Sequence, residues 1–421
     1  MLVFKFGGAS VKNADAVKNV GKVLERYPDE QIAIVISAMG KTTNALEVLV
    51  DHYFHKRSKE MKKSFDELRK YHTDIVKKLF KDTAHGIYVK MEELFEEMQS
   101  RLKRPHTLNY DFDYDQIVSY GEILSTVIIS AWLNDTGFEN RWMDIRKYLK
   151  SDNTYREARI DWELSTKLIK HAFHFRDTRL YITQGFIAST INDINTTLGR
   201  EGSDFTAAIL AYILRADHVT IWKDVPGVLN ADPKWFDDTI RLEKISYLDA
   251  IELAYYGATV IHPKTIKPLQ NRNINLYVKS FLEPDKEGTL VGNLHYEKLI
   301  PSFIFKMQQV LIRISPLDFS FIAEDNLQVI FGHLSKYGIR INLMQNSAVS
   351  FQICITNNKK KVRDLIDDLE KDFRVSYETG LELITIRYYD QSTINRVMIN
   401  KELILEQRYK QNIQLVVRDL G

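Results

Sequence analysis

Residues 2–11 read Leu2-Val3-Phe4-Lys5-Phe6-Gly7-Gly8-Ala9-Ser10-Val11. The apolar start predicts a short strand that opens directly onto two adjacent glycines. Because neither glycine has a Cβ, the backbone N–H groups of this turn can approach a ligand closely. Lys5 beside the turn places a cation where the terminal phosphate of a nucleotide would lie. An edge-strand lysine followed by an ordinary glycine turn would give the same pattern, so the motifs downstream decide.

The composition indicates a globular protein with more than one domain. The chain has 421 residues, with 44% hydrophobic and 27% charged residues, which is too long for one compact core and ordinary for a folded protein. A formal net charge of +2 argues against a dedicated nucleic-acid binder. Cys354 is the only cysteine, so we expect a buried core residue and neither an internal disulfide nor a cysteine zinc cluster.

The sequence gives no signal for a membrane or for export. No uninterrupted apolar run approaches the ~18 residues of a membrane span. The first residues lead directly into the predicted strand, without the basic region and apolar core of a signal peptide. We therefore expect a cytoplasmic protein that has no membrane partner.

The order of predicted elements divides the chain near residues 293–305. Residues 1–40 predict strand, helix and strand, which favours a parallel sheet covered by helices. A helical excursion at 41–105 is followed by a second strand–helix series up to about residue 293. Val310–Tyr377 has the order β-α-β-β-α-β of a ferredoxin-like domain, and a weaker second round starts at Leu381. We therefore predict one domain over 1–295 and a second region over 305–421.

A second motif, Gly199-Arg200-Glu201-Gly202-Ser203-Asp204, precedes an apolar helical stretch. Ser203 or Asp204 is the predicted N-cap of that helix, whose free N–H groups and dipole attract anions. Arg200 adds a planar fork that suits a carboxylate. Glu201 is an acid beside this anion site and counts against it, so an ordinary capped helix remains the alternative.

A third group of polar residues follows the predicted strand His218 to Trp222. It therefore lies at the carboxyl end of a strand, where open α/β sheets bind ligands. Asp224 could hold Mg²⁺ or orient a lysine, while Lys223 and Lys234 could meet phosphates or face water. Taken alone, these charges are explained as well by a solvated loop.

Two further fragments offer polar groups. The stretch Ser37 to Asn44 follows the second strand, and its hydroxyls could position a small polar substrate. Its Gly-Lys-Thr resembles the end of a P-loop, but Val35 stands where that motif needs glycine, which excludes a P-loop. Glu122 lies at the head of an apolar helical stretch, either as an acid near the cap or as a partner for a substrate ammonium.

Taken in order and with Ile261-His262-Pro263, these motifs resemble those of the aspartokinases. This is a group of the amino-acid kinase family with a C-terminal regulatory ACT region, and the resemblance covers essentially the whole chain. The opening motif separates it from the acetylglutamate, glutamate and uridylate kinases. The resemblance implies a three-layer α/β sandwich with a mainly parallel central sheet, followed by ferredoxin-like ACT domains. The second ACT domain is expected to be truncated, with its last strands absent.

The resemblance also implies an activity. An aspartokinase transfers phosphoryl from MgATP to the side-chain carboxylate of L-aspartate, giving 4-phospho-L-aspartate for lysine, threonine and methionine biosynthesis. The implied catalytic residues are Lys5, which stabilises charge on the phosphoryl, and Asp204, which orients Lys5. No general base is needed, because a carboxylate is ionised near pH 7. Mg²⁺ is expected to bind mainly through the nucleotide, and no protein ligand is assigned to it.

The remaining site residues are carried over from the same resemblance, position by position. The ATP-binding positions are Lys5, Gly7, Gly8, Ser10, Lys223, Asp224, Leu229, Lys234 and Thr259. The substrate-binding positions are Ser37, Thr43, Glu122, Arg200 and Ser203.

The sequence departs from the family pattern at several of these positions. Glu201 replaces a common glycine, Leu229 replaces a tyrosine, and Thr259 replaces a lysine that Lys264 or Lys267 could substitute. A kinase for another acidic amino acid therefore stays open, as does an amino-acid sensor whose kinase domain is silent. The intact set of Lys5, Glu122, Arg200 and Asp204 weighs against a silent domain.

The predicted regulatory segment also differs from the family. Ala348 stands where the family commonly has glutamate, so the usual acid for the ammonium of lysine is missing. The expected effector positions are Asn342, Gln345, Asn346 and Ser347, which suit a polar amino acid such as threonine better than lysine. The ACT regions of this family commonly pair, so we expect a homodimer.

Overall fold

The computed structural model describes residues 1–258, 261–294, 300–318 and 320–421. They form two compact units. The first unit contains Met1–Val228, Arg241–Ile251 and residues 261–294. The second contains Leu229–Ile240 and residues 252–258, 300–318 and 320–421.

Up to residue 294 the described residues form ten strands and ten α-helices, and five consecutive helices occupy residues 42–135. The strands are β1 (Leu2–Phe6), β2 (Ile32–Ile36), β3 (Arg141–Met143), β4 (Leu180–Gln184), β5 (Ile187–Ser189), β6 (Asn195–Thr197), β7 (His218–Lys223), β8 (Lys244–Ser246), β9 (Asn275–Ser280) and β10 (Thr289–Gly292). The helices are α1 (Ala14–Leu24), α2 (Thr42–Phe54), α3 (Ser58–Leu79), α4 (Gly86–Lys103), α5 (Tyr110–Val118), α6 (Tyr120–Asp135), α7 (Trp162–Ala172), α8 (Gly202–Leu214), α9 (Tyr247–Tyr256) and α10 (Pro263–Arg272).

An eight-stranded sheet forms the centre of the first unit, in the order β3-β4-β2-β1-β7-β9-β10-β8. The first six strands are parallel, and β10 runs antiparallel to β9. Every residue of β1, β2 and β4 is buried, because helices cover both faces of the sheet. The carboxyl ends of β1, β2 and β7 therefore meet at one edge, where the first glycine turn lies.

The predicted cap of α8 is wrong. The helix begins at Gly202, and its N-cap is Glu201, with φ 56° and ψ 26° in the left-handed region. Ser203 and Asp204 consequently lie in the first turn of the helix. The preference of serine and aspartate for the N-cap does not prevail here, because the carboxylate of Asp204 pairs with Lys5 instead.

One stretch of the described chain, Tyr110–Asp135, is long and apolar enough to cross a membrane, with a hydropathy of 1.3. It comprises α5 and α6. In the folded chain 83% of its most apolar window is buried, as in the core helix of a globular protein.

The second unit is built on a six-stranded antiparallel sheet, in the order β12-β13-β11-β14-β16-β15. Its strands are β11 (Ser302–Pro316), β12 (Ile341–Asn346), β13 (Phe351–Thr356), β14 (Phe373–Arg387), β15 (Lys401–Tyr409) and β16 (Asn412–Asp419). Its helices are α11 (Glu324–Lys336), α12 (Lys359–Leu369) and α13 (Gln391–Val397). The predicted β-α-β-β-α-β order appears from the second half of β11 to the first half of β14. Cys354 is a buried core residue, as predicted.

The prediction that the second ferredoxin-like half lacks its last strands needs a correction, because β11 supplies a strand to that half. Residues 302–306 of β11 pair with the second half of β14, whose other neighbour is β16. The fourth strand position of that half is thus filled by an earlier part of the chain. Elements assigned in chain order cannot reveal this, because β11 is one 15-residue strand whose two halves serve both repeats. Among the described residues this half has one helix, α13, so it is shortened by a helix and not by a strand.

Candidate active site

Two lysines share one carboxylate at the carboxyl edge of the parallel sheet. The Nζ of Lys5 lies 2.6 Å from Oδ1 of Asp204, and the Nζ of Lys223 lies 3.6 Å from Oδ2. β1 and β7 are parallel neighbours, so their ends carry both lysines towards the first turn of α8. Asp204 has no exposed surface. Burial alone would raise its pKa, but the charges of Lys5 and then Lys223 outweigh burial and hold that pKa below its usual range.

Glu122 is a second buried acid of this site. It lies in the first turn of α6 and is 2% exposed. Its Oε1 accepts a hydrogen bond of 3.3 Å from the N–H of Ala38, while its Oε2 is buried and has no hydrogen-bond partner. Burial raises the pKa of Glu122 to about 8, although the Ala38 N–H and the charge of Lys5 oppose the shift. The acid is therefore mostly protonated near pH 7 in the absence of a cation.

A cavity of about 930 Å³ brings the predicted substrate residues together in the first unit. Its lining includes Lys5 with all five predicted substrate positions, which are Ser37, Thr43, Glu122, Arg200 and Ser203. The cavity lining therefore combines the buried acid Glu122 with the guanidinium of Arg200 and the hydroxyl groups of Ser37, Thr43 and Ser203. This arrangement is complementary to a small zwitterion with an additional carboxylate.

The glycine turn after β1 is fixed by close packing. A Cβ on Gly8 would lie 2.8 Å from the carbonyl oxygens of Ala38 and Gly40, so no other residue fits without a shift. The Oγ of Ser10 donates a hydrogen bond of 3.1 Å to the carbonyl of Trp222, which ties the turn to β7. Ser10 is 1% exposed, so its hydroxyl acts inside the protein. Gly7 adjoins the Lys5 side chain, whose Nζ would lie 3.4 Å from a Cβ at that position.

The other predicted nucleotide positions lie in different parts of the chain. Asp224 follows β7 in the first unit and is exposed. Leu229 and Lys234 belong to the segment Leu229–Ile240 of the second unit. Thr259 lies outside the described residues.

The residues that support the cavity wall were not predicted from the sequence. The carboxylate of Asp115 accepts hydrogen bonds from the N–H of Arg156 at 3.0 Å and from both the N–H and the Oγ1 of Thr197, at 2.9 and 2.7 Å. Burial raises its pKa to about 6 against these hydrogen bonds. The guanidinium of Arg156 pairs with Glu47 at 2.9 Å and lies 4.1 Å from the centroid of the Tyr114 ring. The partners are 41 to 109 residues apart in the sequence, so no local motif connects them.

The described residues contain no group of three or more His, Cys, Asp or Glu side chains that could hold a metal ion. A second cavity, of about 900 Å³, lies between α7, α8 and α10 and includes Lys264 and Lys267. Lys264 and Lys267 are the candidates for replacing the family lysine whose position Thr259 occupies, and both line this separate cavity.

Comparison with known proteins identifies the family of this chain. A profile described as the amino acid kinase family matches residues 1–280. The chain belongs to the amino acid kinase family. The kinase is 30% identical over 399 residues to lysine-sensitive aspartokinase 3 of Escherichia coli, over 92% of this chain and 86% of that enzyme. It is 26% identical over 388 residues to bifunctional aspartokinase/homoserine dehydrogenase 1 of Arabidopsis thaliana, over 90% of this chain and 42% of that protein.

Solved structures give the same result. The crystal structure of E. coli aspartokinase III with aspartate and ADP matches the kinase with a TM-score of 0.83 and 27% identity, covering 100% of this chain and 96% of that chain. The same enzyme with lysine and aspartate matches with a TM-score of 0.82, the same identity and the same coverage. The predicted aspartokinase resemblance and mainly parallel fold are confirmed, and the chain is an ATP-dependent amino-acid kinase.

The predicted effector residues of the kinase lie at the edge of the second sheet. Asn342 is on β12 and already donates hydrogen bonds to Gln309 at 2.8 Å and Thr356 at 3.0 Å. Its Oδ1 accepts a hydrogen bond of 2.9 Å from the partly buried Lys306, whose pKa is lowered by burial. The hydroxyl of Ser347 is bonded to Ser350. Three of the four positions, Gln345, Asn346 and Ser347, are exposed.

Proposed function

We propose that this kinase is an aspartate kinase. It transfers the γ-phosphoryl group of MgATP to the side-chain carboxylate of L-aspartate, giving 4-phospho-L-aspartate and ADP, in the first step towards lysine, threonine and methionine. A carboxylate oxygen forms the new bond to phosphorus as the bond to ADP breaks, and no proton has to be removed. The observation that carries the proposal is the buried, unpartnered Oε2 of Glu122 in a cavity that also holds Arg200. The E. coli relative solved with aspartate and ADP supports the same substrate.

The two charged ends of the amino acid find partners of opposite charge in the lining of the cavity. Glu122 accepts the α-ammonium on its free oxygen, and the incoming cation replaces the proton that the buried acid holds. Arg200 binds the α-carboxylate with its planar fork. Ser37, Thr43 and Ser203 donate or accept further hydrogen bonds. An N-acetylated amino acid lacks the ammonium and would leave Glu122 without a partner.

At the phosphoryl end, charge stabilisation accounts for the chemistry. Lys5 and Lys223 share the charge of Asp204, which leaves one net positive charge for the phosphates. Lys5 stabilises the charge on the transferring group, and Asp204 positions Lys5. Mg²⁺ enters with the nucleotide and offsets phosphate charge. Further nucleotide contacts are proposed at Gly7, Gly8, Ser10, Asp224, Leu229, Lys234 and Thr259.

The test is ADP release from ATP in the presence of L-aspartate, L-glutamate or N-acetyl-L-glutamate, with hydroxylamine added to trap an acyl phosphate. We expect turnover and trapped product with L-aspartate alone. Preference for L-glutamate would make the protein a kinase for another acidic amino acid. Absence of turnover with all three acceptors would favour the silent sensor.

The proposal also covers the domain organisation of the kinase and its regulation by an amino acid. Residues 1–295 form the catalytic domain and 305–421 an ACT region that pairs two copies into a cytoplasmic homodimer. An amino-acid effector binds near Asn342, Gln345, Asn346 and Ser347. β12 supports this because it is an edge strand of its sheet and carries Asn342, Gln345 and Asn346, with the exposed Ser347 directly after it.

A further inference from the structure

The second cavity of the first unit has the size of a small-molecule site and is not used by the proposed reaction. It encloses about 900 Å³ between α7, α8 and α10. Small-molecule sites have volumes of roughly 300 to 1,000 Å³ and combine apolar and aromatic walls with a few polar groups. The lining of this cavity joins aromatic rings to lysine and arginine side chains, so it matches that description.

Three aromatic side chains form the apolar part of the lining, and these are Trp162 of α7 with Phe205 and Tyr212 of α8. Trp162 and Tyr212 pack edge to face, with ring centroids 5.4 Å apart. The guanidinium carbon of Arg272 lies 4.3 Å from the centroid of the Tyr212 ring, which holds that ring further in place. Trp162 nevertheless keeps 38% of its surface exposed. An exposed indole in a cavity wall offers a flat ring a surface on which to stack.

The charged part of the lining is cationic overall. It holds four cations and two acids, which are Arg159, Lys167, Lys264, Lys267, Glu157 and Glu163. Lys167 and Glu163 form an ion pair of 2.7 Å and neutralise each other. The half-buried Lys264 and the exposed Lys267 are three residues apart on α10, so they lie on the same side of that helix. In the part of the chain that the structure describes, neither of them has an ion-pair partner. This lysine pair therefore offers two positive charges to a ligand.

We propose that this cavity binds a phosphate monoester that carries a flat ring. The phosphate is a dianion above its second pKa of about 6, so it matches the two charges of Lys264 and Lys267 and accepts hydrogen bonds from their ammonium groups. The ring stacks against Trp162 and Tyr212, where its apolar surface leaves water. The inference goes beyond the proposed function, because none of these four residues is a proposed substrate or nucleotide position.

The cavity is a neighbour of the candidate active site. Glu157 lines both cavities, and on α8 Ser203 lines the substrate cavity while Phe205 lines the second one. A phosphate ester could also enter the substrate cavity, where Lys5 is proposed to meet phosphate. Variants in both cavities are therefore needed to assign the binding.

Titration calorimetry with phenyl phosphate near pH 7.5, without nucleotide or amino acid, tests the site. Lys264→Gln/Lys267→Gln should weaken binding about fivefold or more, as expected for the loss of two partly exposed ion pairs. Lys59→Gln/Lys62→Gln is the matched control, because it removes two exposed lysines with the same spacing on α3 and should leave the Kd unchanged. The binding that depends on the α10 lysines should also persist in Lys5→Ala, since Lys5 lines the other cavity.

A second set of titrations tests the aromatic wall. Inorganic phosphate, which has no ring, should bind more weakly than phenyl phosphate. Trp162→Leu should weaken phenyl phosphate about two- to tenfold and leave the binding of inorganic phosphate unchanged.

Three results would overturn the proposal. The first is equal affinity of the wild type for phenyl phosphate and inorganic phosphate, since the ring would then contribute nothing. The second is loss of binding in Lys5→Ala with unchanged binding in Lys264→Gln/Lys267→Gln, which would locate the anion in the candidate active site. The third is absence of binding at about 10 mM phenyl phosphate. These titrations measure no turnover, so they remain decisive even if aspartate is not the substrate.

Discussion

Lowering the pH should weaken the binding of L-aspartate in a manner set by Glu122. The pKa of this acid in the ligand-free protein is about 8, because burial disfavours the charged form. The bound ammonium requires the carboxylate, so binding must expel the proton. At pH 7 about one molecule in eleven is ionised, which weakens apparent binding about elevenfold relative to the fully ionised acid. At pH 6 the factor approaches about a hundred, or roughly 2.7 kcal/mol.

Titration calorimetry measures both quantities. We expect the Kd for L-aspartate to rise about fivefold from pH 8 to 7 and about tenfold per pH unit below pH 7. At pH 7 the binding heats in two buffers of different ionisation enthalpy should indicate release of about 0.9 proton per aspartate bound. Glu122→Gln is the matched control, because it retains the shape and the Ala38 contact but cannot titrate. Its weaker binding should depend on pH only through the ligand itself.

A wild-type Kd that stays constant between pH 6 and 9, with no proton released, would refute this reasoning. In that case Glu122 would not be the partner of the ammonium. Its free oxygen would then be a structural feature of the head of α6.

Further predictions concern catalysis, specificity, stability and regulation. Lys5→Ala should lower kcat by more than tenfold, or more than about 1.4 kcal/mol, with an unchanged circular dichroism spectrum, and a smaller loss would exclude its role on the phosphoryl. Glu122→Gln should raise KM for L-aspartate far more than KM for ATP, whereas equal effects would indicate a structural cap. The pKa of Asp115 is about 6 in the folded protein, above its value in the unfolded chain, so the folded protein binds more protons between pH 4 and 6. The free energy of unfolding should therefore fall as the pH rises from 4 to 6. Urea denaturation of Asp115→Asn should show a flatter dependence on pH. Threonine should bind the second unit better than lysine by calorimetry, because Lys306 supplies a cation beside Asn342; micromolar binding of lysine without heat from threonine would contradict this.

Local sequence was sufficient for the parts of the fold in which neighbours in the chain act together. The strand and glycine turn around Lys5 were predicted because an apolar run and two glycines are local signals. The cap of α8 was not, because Asp204 makes a tertiary ion pair that competes with capping. The free energy that a capping side chain contributes is small, and the interaction of a buried charge pair outweighs it.

The rest of the site required topology. Asp115 joins Arg156 and Thr197 from distances of 41 and 82 residues, and nothing in the sequence marks it as different from other acids of a helix. The two halves of β11 likewise follow from pairing with both halves of β14, a long-range relation. Motifs could therefore predict which residues line one cavity, whereas the supports of those residues depend on contacts that only the folded chain brings together.

The state of Glu122 before substrate enters decides how the site discriminates between amino acids. Burial raises the pKa of this acid to about 8, so it is mostly protonated near pH 7. A free ammonium can replace that proton, whereas an N-acetylated amino acid offers no cation to replace it. An amino acid is therefore selected over its N-acetylated form before any chemistry, and its binding should strengthen as the pH rises towards about 8.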